Sequence, residues 1–158
     1  MLKNVPYEEM TPELCLKAVT KDGRDLAYVP VYMRSPEMCL IAVKDRGSAL
    51  DYVPLKLKTS KLCLIAVKDM GWALRYVPKH LQDTEICLAA VREYGAAIGY
   101  VPKTLQTYDL YLGAVRSGLS LWRVPGEFRT PEVCVIAITM NPYDVEHSPY
   151  SILELLSL

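Results

Sequence analysis

The chain has no net charge: eighteen Lys and Arg balance eighteen Asp and Glu over 158 residues. A general polyanion binder carries a basic excess, so this balance argues against nucleic acid as a partner. No apolar run approaches the roughly 18 residues of a membrane span. The N-terminus, MLKNVPYEEM, lacks the apolar stretch of a signal peptide. Histidine is scarce: His80 and His147 stand nearly three repeats apart in unrelated columns. There is no G-x-S-x-G, no phosphate-binding glycine loop and no H-E-x-x-H. The expectation is a protein that is not an enzyme and uses no metal and no cofactor. Apolar residues, at 51%, are not lacking, and this excludes disorder, which needs low hydrophobicity and high net charge. Five cysteines, an odd number without a secretion signal, suit a reducing compartment. The expected location is cytoplasmic.

Proline is abundant, with eleven residues, and its placement reveals the organisation. Val-Pro starts at Val5, Val29, Val53, Val77 and Val101, returns one residue early at Val124, and is replaced by Ser148-Pro149. Cysteine keeps the same 24-residue step at Cys15, Cys39, Cys63 and Cys87, yields to Tyr111, and returns at Cys134. Alanine stands at Ala18, Ala42, Ala66, Ala90, Ala114 and Ala137. Glycine stands at Gly23, Gly47, Gly71, Gly95 and Gly118, and Asn141 is assigned the sixth place.

These columns predict a helical unit. Thr11, Ser35, Thr59, Asp83, Thr107 and Thr130 are N-cap residues, able to accept an orphan amide of the first turn. Pro12, Pro36 and Pro131 follow at the first helical position, where a missing donor is harmless. The apolar spacing Leu14, Cys15, Ala18, Val19 marks one helix face. The main helix is expected to run about eleven residues and to close on a left-handed glycine. Short turns follow it, ending at the residue before proline. An apolar residue three positions beyond that proline suits a 3₁₀ turn.

A 24-residue unit cannot bury its own face, but stacked copies can. The fold class read here is all-α: an α-solenoid of about six 24-residue repeats, each one helix plus short 3₁₀ or α turns. The units fall at 11–34, 35–58, 59–82, 83–106, 107–129 and 130–152, in a single repeat domain. Residues 1–10 form a partial unit and 150–158 an apolar C-terminal cap. Lys17, in a column of Ile41, Ile65, Ala89, Gly113 and Ile136, marks the first unit's wet outer face. The tail Ile152, Leu153, Leu155, Leu156 and Leu158 is a capping helix or a docking surface for another copy.

The columns resemble a family of short tandem repeats of unknown function reading A-V-x-x-x-G-x-x-L-x-Y. The match includes Ala42-Val43, Gly47, Leu50 and Tyr52, and again Ala66-Val67, Gly71, Leu74 and Tyr76. The resemblance spans about residues 11–138 and implies a helical repeat fold without an activity. The repeat length is also similar, more weakly, to leucine-rich variant repeats.

Candidate sites follow from contrasts between columns. The cysteines lie one repeat apart, about 10 Å at helix-packing distances. That is beyond the roughly 7 Å limit of a disulfide, so a buried ladder of free thiols is expected. Lys44, Lys68, Arg92 and Arg116 form a basic edge that suits phosphates, though Asp45, Asp69 and Glu93 follow directly and would dilute its field. Tyr28, Tyr52, Tyr76 and Tyr100 form a ladder expected mainly to pack between repeats. Large variable residues, Met70, Trp72, Arg75, Tyr94 and Trp122, gather in the middle and late repeats. Aromatic residues, Met and Arg are enriched at interfaces. The expectation is a non-catalytic protein-interaction solenoid, an inhibitor or adaptor with an unidentified protein partner. The alternatives are nucleic-acid binding along Lys44, Lys68, Arg92 and Arg116, and self-assembly through the tail.

Overall fold

A computed structural model describes residues 2–157. Six helices recur in register: α1 (Pro12–Lys21), α2 (Pro36–Asp45), α3 (Ser60–Asp69), α4 (Thr84–Glu93), α5 (Tyr108–Arg116) and α6 (Pro131–Met140). A short seventh, α7, spans Ile152–Leu156. Each of α1–α4 leads into a six-residue 3₁₀ segment, the first being Gly23–Tyr28, and then a three-residue 3₁₀ turn, the first being Val31–Met33. Two 3₁₀ turns, Leu2–Asn4 and Tyr7–Glu9, precede α1 and supply the partial unit. No strand occurs among the described residues.

The caps explain where the helices begin. Side chains of Thr11, Ser35, Thr59, Asp83 and Thr130 accept the amides of Leu14, Met38, Leu62, Ile86 and Val133. Thr107 makes no such bond, and α5 is the nine-residue exception among ten-residue helices. The elements then stack in two layers. Helices α2, α3 and α4 each pack on both neighbouring helices, on their own 3₁₀ segment and on that of the preceding repeat; α5 packs on the preceding segment and α1 and α6 on their own. Leu26, Leu50, Leu74 and Leu121 are completely buried from the 3₁₀ side, and the cysteines and Val19, Val43, Val67 and Val91 from the helix side.

The glycine column works differently from the expectation. The main helices end because Asp22, Arg46, Met70 and Tyr94 turn to extended backbone, with φ of −152°, −150°, −151° and −146°. None of the following four glycines has positive φ; Gly118 alone does, at 84°. What these positions require is space. A Cβ on Gly23, Gly47, Gly71 or Gly95 would lie 2.7, 2.3, 2.4 or 2.3 Å from the carbonyl oxygen of Ala42, Ala66, Ala90 or Ala114 in the next repeat. Those four alanines are themselves fully buried. The Gly23 and Gly47 amides also donate to Asp45 Oδ2 and Asp69 Oδ2, at 2.9 and 2.7 Å. These carboxylates are therefore structural acceptors as well as surface charges.

Gly118 supports the left-handed reading at one place. Its amide bonds to Val115 O at 3.0 Å, and that of Leu119 to Ala114 O at 2.9 Å, the paired closure of a Schellman motif. The repeat is one residue short here, and its 3₁₀ segment shrinks to Leu121–Arg123. Asn141 does not hold the glycine place either. It is an extended residue, φ −143°, capping a 3₁₀ segment that starts at Pro142. Tyr111, in the cysteine column, is buried, stacks on Phe128 at 5.1 Å and donates to Gln106 Oε1.

A second polar column escaped sequence inspection. Arg34, Lys58, Gln82, Gln106 and Arg129 occupy equivalent places and satisfy carbonyls at the ends of the 3₁₀ segments. Gln82 Nε2 donates to Leu74 O and Val77 O, and Gln106 Nε2 to Ile98 O and Val101 O. Arg34 and Arg129 bond to Val29 O and Val124 O in the same way. The cations also reach forward one repeat: Arg34 to Tyr52 O, Lys58 to Tyr76 O, Arg129 to His147 O. Where glutamine is too short to reach, Lys79 takes over and donates to Tyr100 O at 2.8 Å.

Two stability outcomes follow. Gly47→Ala should destabilise by about 3 kcal/mol through overpacking, whereas Gly126→Ala, with nothing within 4 Å of the new Cβ, should stay within about 0.5 kcal/mol. Gln82→Leu should cost about 1–3 kcal/mol by stranding buried carbonyls, while Gln82→Arg, which restores the Arg34 arrangement, should be milder. Urea unfolding midpoints of the four variants measure both contrasts.

Candidate protein-binding face

The 3₁₀ layer carries the tyrosine column and both tryptophans. Its six-residue segments start at the buried glycine and end at the tyrosine column, so residues one, four and five places after the glycine belong to neighbouring columns. Arg24, Ala27, Tyr28, Ser48, Asp51, Tyr52, Trp72 and Tyr76 line one open groove of about 300 Å³ across three consecutive repeats. Trp72 is half-buried, and its ring meets that of Tyr76 edge-on, with centroids 5.8 Å apart at 68°. Arg75 is exposed and holds its guanidinium 5.2 Å from the centre of the same Tyr76 ring. The Tyr28, Tyr52 and Tyr100 side chains are more than one-third exposed. Tyr76 is half-buried and packs against the core, so the ladder is partly packed, as expected from sequence, and partly open to solvent.

The tyrosine backbone is held from one side. Carbonyls of Tyr52, Tyr76 and Tyr100 accept from Arg34, Lys58 and Lys79 of the preceding repeat. Burial pulls the Arg34 and Lys58 pKa values below their ordinary levels. At the N-terminal end of the groove Arg24 is tied to Asp22, Nη2 to Oδ2 at 2.8 Å. Hydrogen bonds from Arg24 hold the Asp22 carboxyl down at about 2. Asp51 is exposed in the groove and makes no hydrogen bond or ion pair among the described residues.

The remaining expected site residues do not join this groove. Met70 is half-buried against the core at the end of α3. Tyr94 ends α4, about half exposed, with its Cβ beside Gly71. Trp122 is 61% exposed and shares the Arg75 column two repeats on, with the Arg123 guanidinium 6.0 Å from its ring centre. Of the expected site residues, Trp72 alone lines the groove with the tyrosines, and Arg75 touches it only through the Tyr76 ring.

The basic edge lies on the helix layer. Lys44, Lys68, Arg92 and Arg116 are all exposed. Gly113 opens a notch of about 320 Å³ between Arg92 and Arg116, shared with Asp109 and Ser117. Arg116 pairs with Glu132 at 3.3 Å, and Ser117 Oγ donates to Arg92 O. Acidic partners therefore accompany the cations at the C-terminal end of this edge. The five cysteines are free and buried. No group of three or more His, Cys, Asp or Glu among the described residues could hold a metal ion. No described helix is long and apolar enough to cross a membrane.

At the C-terminus Ser151 and Glu154 form a capping box for α7. Leu155 is half-buried, and Ile152, Leu155 and Leu156 share a groove with Val135, Ile138 and Thr139 of α6. Leu153 and Leu156 remain 80% and 78% exposed. Leu158, also expected in the tail, lies outside the described residues.

The architecture defines a helical tandem-repeat solenoid of single-helix units with 3₁₀ connectors. The chain belongs to a family described as a domain of unknown function, DUF4116, whose model matches twice in tandem, at residues 11–58 and 60–106. No curated protein and no solved structure matches.

The thiols give a pH-dependent outcome. Burial pushes Cys63 and Cys87 up to about 11 from an ordinary value near 9. A raised native pKa means the unfolded chain loses its protons first. Their contribution to stability is thus complete below about pH 9 and is lost as pH rises through about 11. Denaturation midpoints should fall between pH 8.5 and 11, and less so in a Cys63→Ala/Cys87→Ala variant. Ellman's reagent at pH 8 should react slowly with the native protein and rapidly with all five thiols in denaturant.

Proposed function

We propose that the protein is a non-catalytic binding solenoid that grips an extended segment of a partner protein along the 3₁₀ face, with Trp72 as the central anchor. The observation that carries this reading is the groove that Trp72 lines together with Tyr28, Tyr52 and Tyr76. Trp and Tyr dominate interface hot spots. The stacking of the repeats uses other columns, the glycines, alanines, cysteines and leucines. A face that stacking does not consume is where solenoids recruit ligands. Occupying a partner's segment in this way suits an inhibitor or an adaptor, and the reducing-compartment chemistry of free thiols agrees with a cytoplasmic setting.

Selection from a random peptide display library on the immobilised protein tests this. Recovered peptides should bind at least about tenfold more weakly to Trp72→Ala, with a thermal midpoint only a few degrees lower. Peptides that bind Trp72→Ala as well as the parent, or no peptides at all, would defeat the reading.

A second reading is favoured by the exposed leucines of α7: association of two copies through this tail. A variant ending at Tyr150 should then halve the mass seen by light scattering, and an unchanged mass excludes the tail as the contact.

A further inference from the structure

Resting on the groove reading above, we infer that the ligand of the 3₁₀ face is a proline-rich segment in the polyproline II conformation carrying a basic residue. Three independent features select this class.

The first is pitch. Tyr28, Tyr52, Tyr76 and Tyr100 occupy one column in four consecutive repeats, each ending a six-residue 3₁₀ segment. Packed helices in neighbouring repeats lie about 8–10 Å apart. A polyproline II helix advances about 3.1 Å per residue with three residues per turn, so equivalent side chains recur about every 9 Å. At that repeat spacing one ligand turn would match one repeat. An extended β-strand repeats its side chains about every 6.8 Å, and a helical ligand about every 5.4 Å. Neither keeps step with the column.

The second is hydrogen-bonding polarity. The Trp72 indole N–H and the hydroxyls of Tyr28, Tyr52, Tyr76 and Tyr100 make no hydrogen bonds among the described residues. Indole N–H is a donor only. A proline-rich backbone lacks internal hydrogen bonds and offers carbonyl acceptors with few amide donors. Donor-bearing aromatic rings complement such a chain.

The third is charge. Asp51 is the carboxylate among the groove's lining residues; it is exposed, makes no hydrogen bond or ion pair among the described residues, and feels Lys58 only through longer-range attraction. An arginine or lysine flanking the prolines would pair with it. The rail is also set before binding, because Arg34, Lys58 and Lys79 fix the tyrosine carbonyls, so little ordering opposes the ligand.

The test uses the full chain and three synthetic peptides of about twelve residues, four turns of polyproline II. One repeats Ala-Pro-Pro behind an N-terminal arginine, one replaces every proline by alanine, and one replaces the arginine by glutamate. Isothermal titration should show the arginine–proline peptide binding at least about tenfold more tightly than the alanine peptide. Trp72→Ala should remove about tenfold of that affinity. Asp51→Asn should abolish the preference for arginine over glutamate and leave the proline preference in place. Equal binding of the proline and alanine peptides, or no binding of either, overturns the inference. If display-selected peptides then still depend on Trp72 but lack spaced prolines, the binding-solenoid reading survives alone. If no selected peptide depends on Trp72, both fall.

Discussion

The distance between a glycine and the next repeat's alanine carbonyl governs this molecule. At Gly23, Gly47, Gly71 and Gly95 the backbone of one unit approaches that of the next so closely that a methyl group would sit inside the contact distance. The alanine column is small for the same reason, since its helix must reach this depth. With backbones so close, one helix and one 3₁₀ segment per unit enclose leucine, valine and cysteine side chains. In the fifth unit an aromatic pair, Tyr111 stacked on Phe128, takes the place of the cysteine.

Much of this architecture is written in the sequence because capping and proline rules are local. A threonine or serine before proline announces a helix start by chemistry within four residues, and the observed caps follow it. The reason for the glycines was hidden because it is a property of two units in contact. A glycine ending a helix has a familiar local explanation, and only packing distinguishes the need for φ > 0 from the need for an absent Cβ. Gly118, where the local explanation is correct, shows how similar the two cases look in one dimension. The column of Arg34, Lys58, Gln82, Gln106 and Arg129 was hidden for a different reason. Its members share a function, donation to end carbonyls, but neither charge nor shape, and recurrence of residue type does not detect a shared donor.

The candidate face was half legible. Trp72 and Arg75 stand out as large residues in columns the fold leaves free. The tyrosines beside them are as regular as core residues, and regularity argued for packing. They are in fact partly packed and partly exposed, a mixture that sequence alone does not separate from burial. Met70, two residues before Trp72, is half-buried against the core, while Arg46 and Tyr94 with the same extended backbone are exposed, so the side chain and not the backbone decides the burial. Trp122 shares the Arg75 column but lies two repeats on, beyond the one-residue shortening.

That shortening has a consequence for how the molecule holds together. Gly118 stands where the fifth unit should press on Ala137, yet nothing lies within 4 Å of the place a Cβ would take. The four earlier junctions carry the glycine–alanine contact and this one does not. In a linear array, stability is the sum of unit and junction terms. The fifth junction is held by side chains instead: Tyr108 donates to Glu132 at 2.9 Å, Arg116 pairs with Glu132 at 3.3 Å, and Ser120 donates to Asp144. A molecule that appears uniform when its columns are counted is joined in two ways, by bare backbone approach along most of its length and by polar side chains at its end.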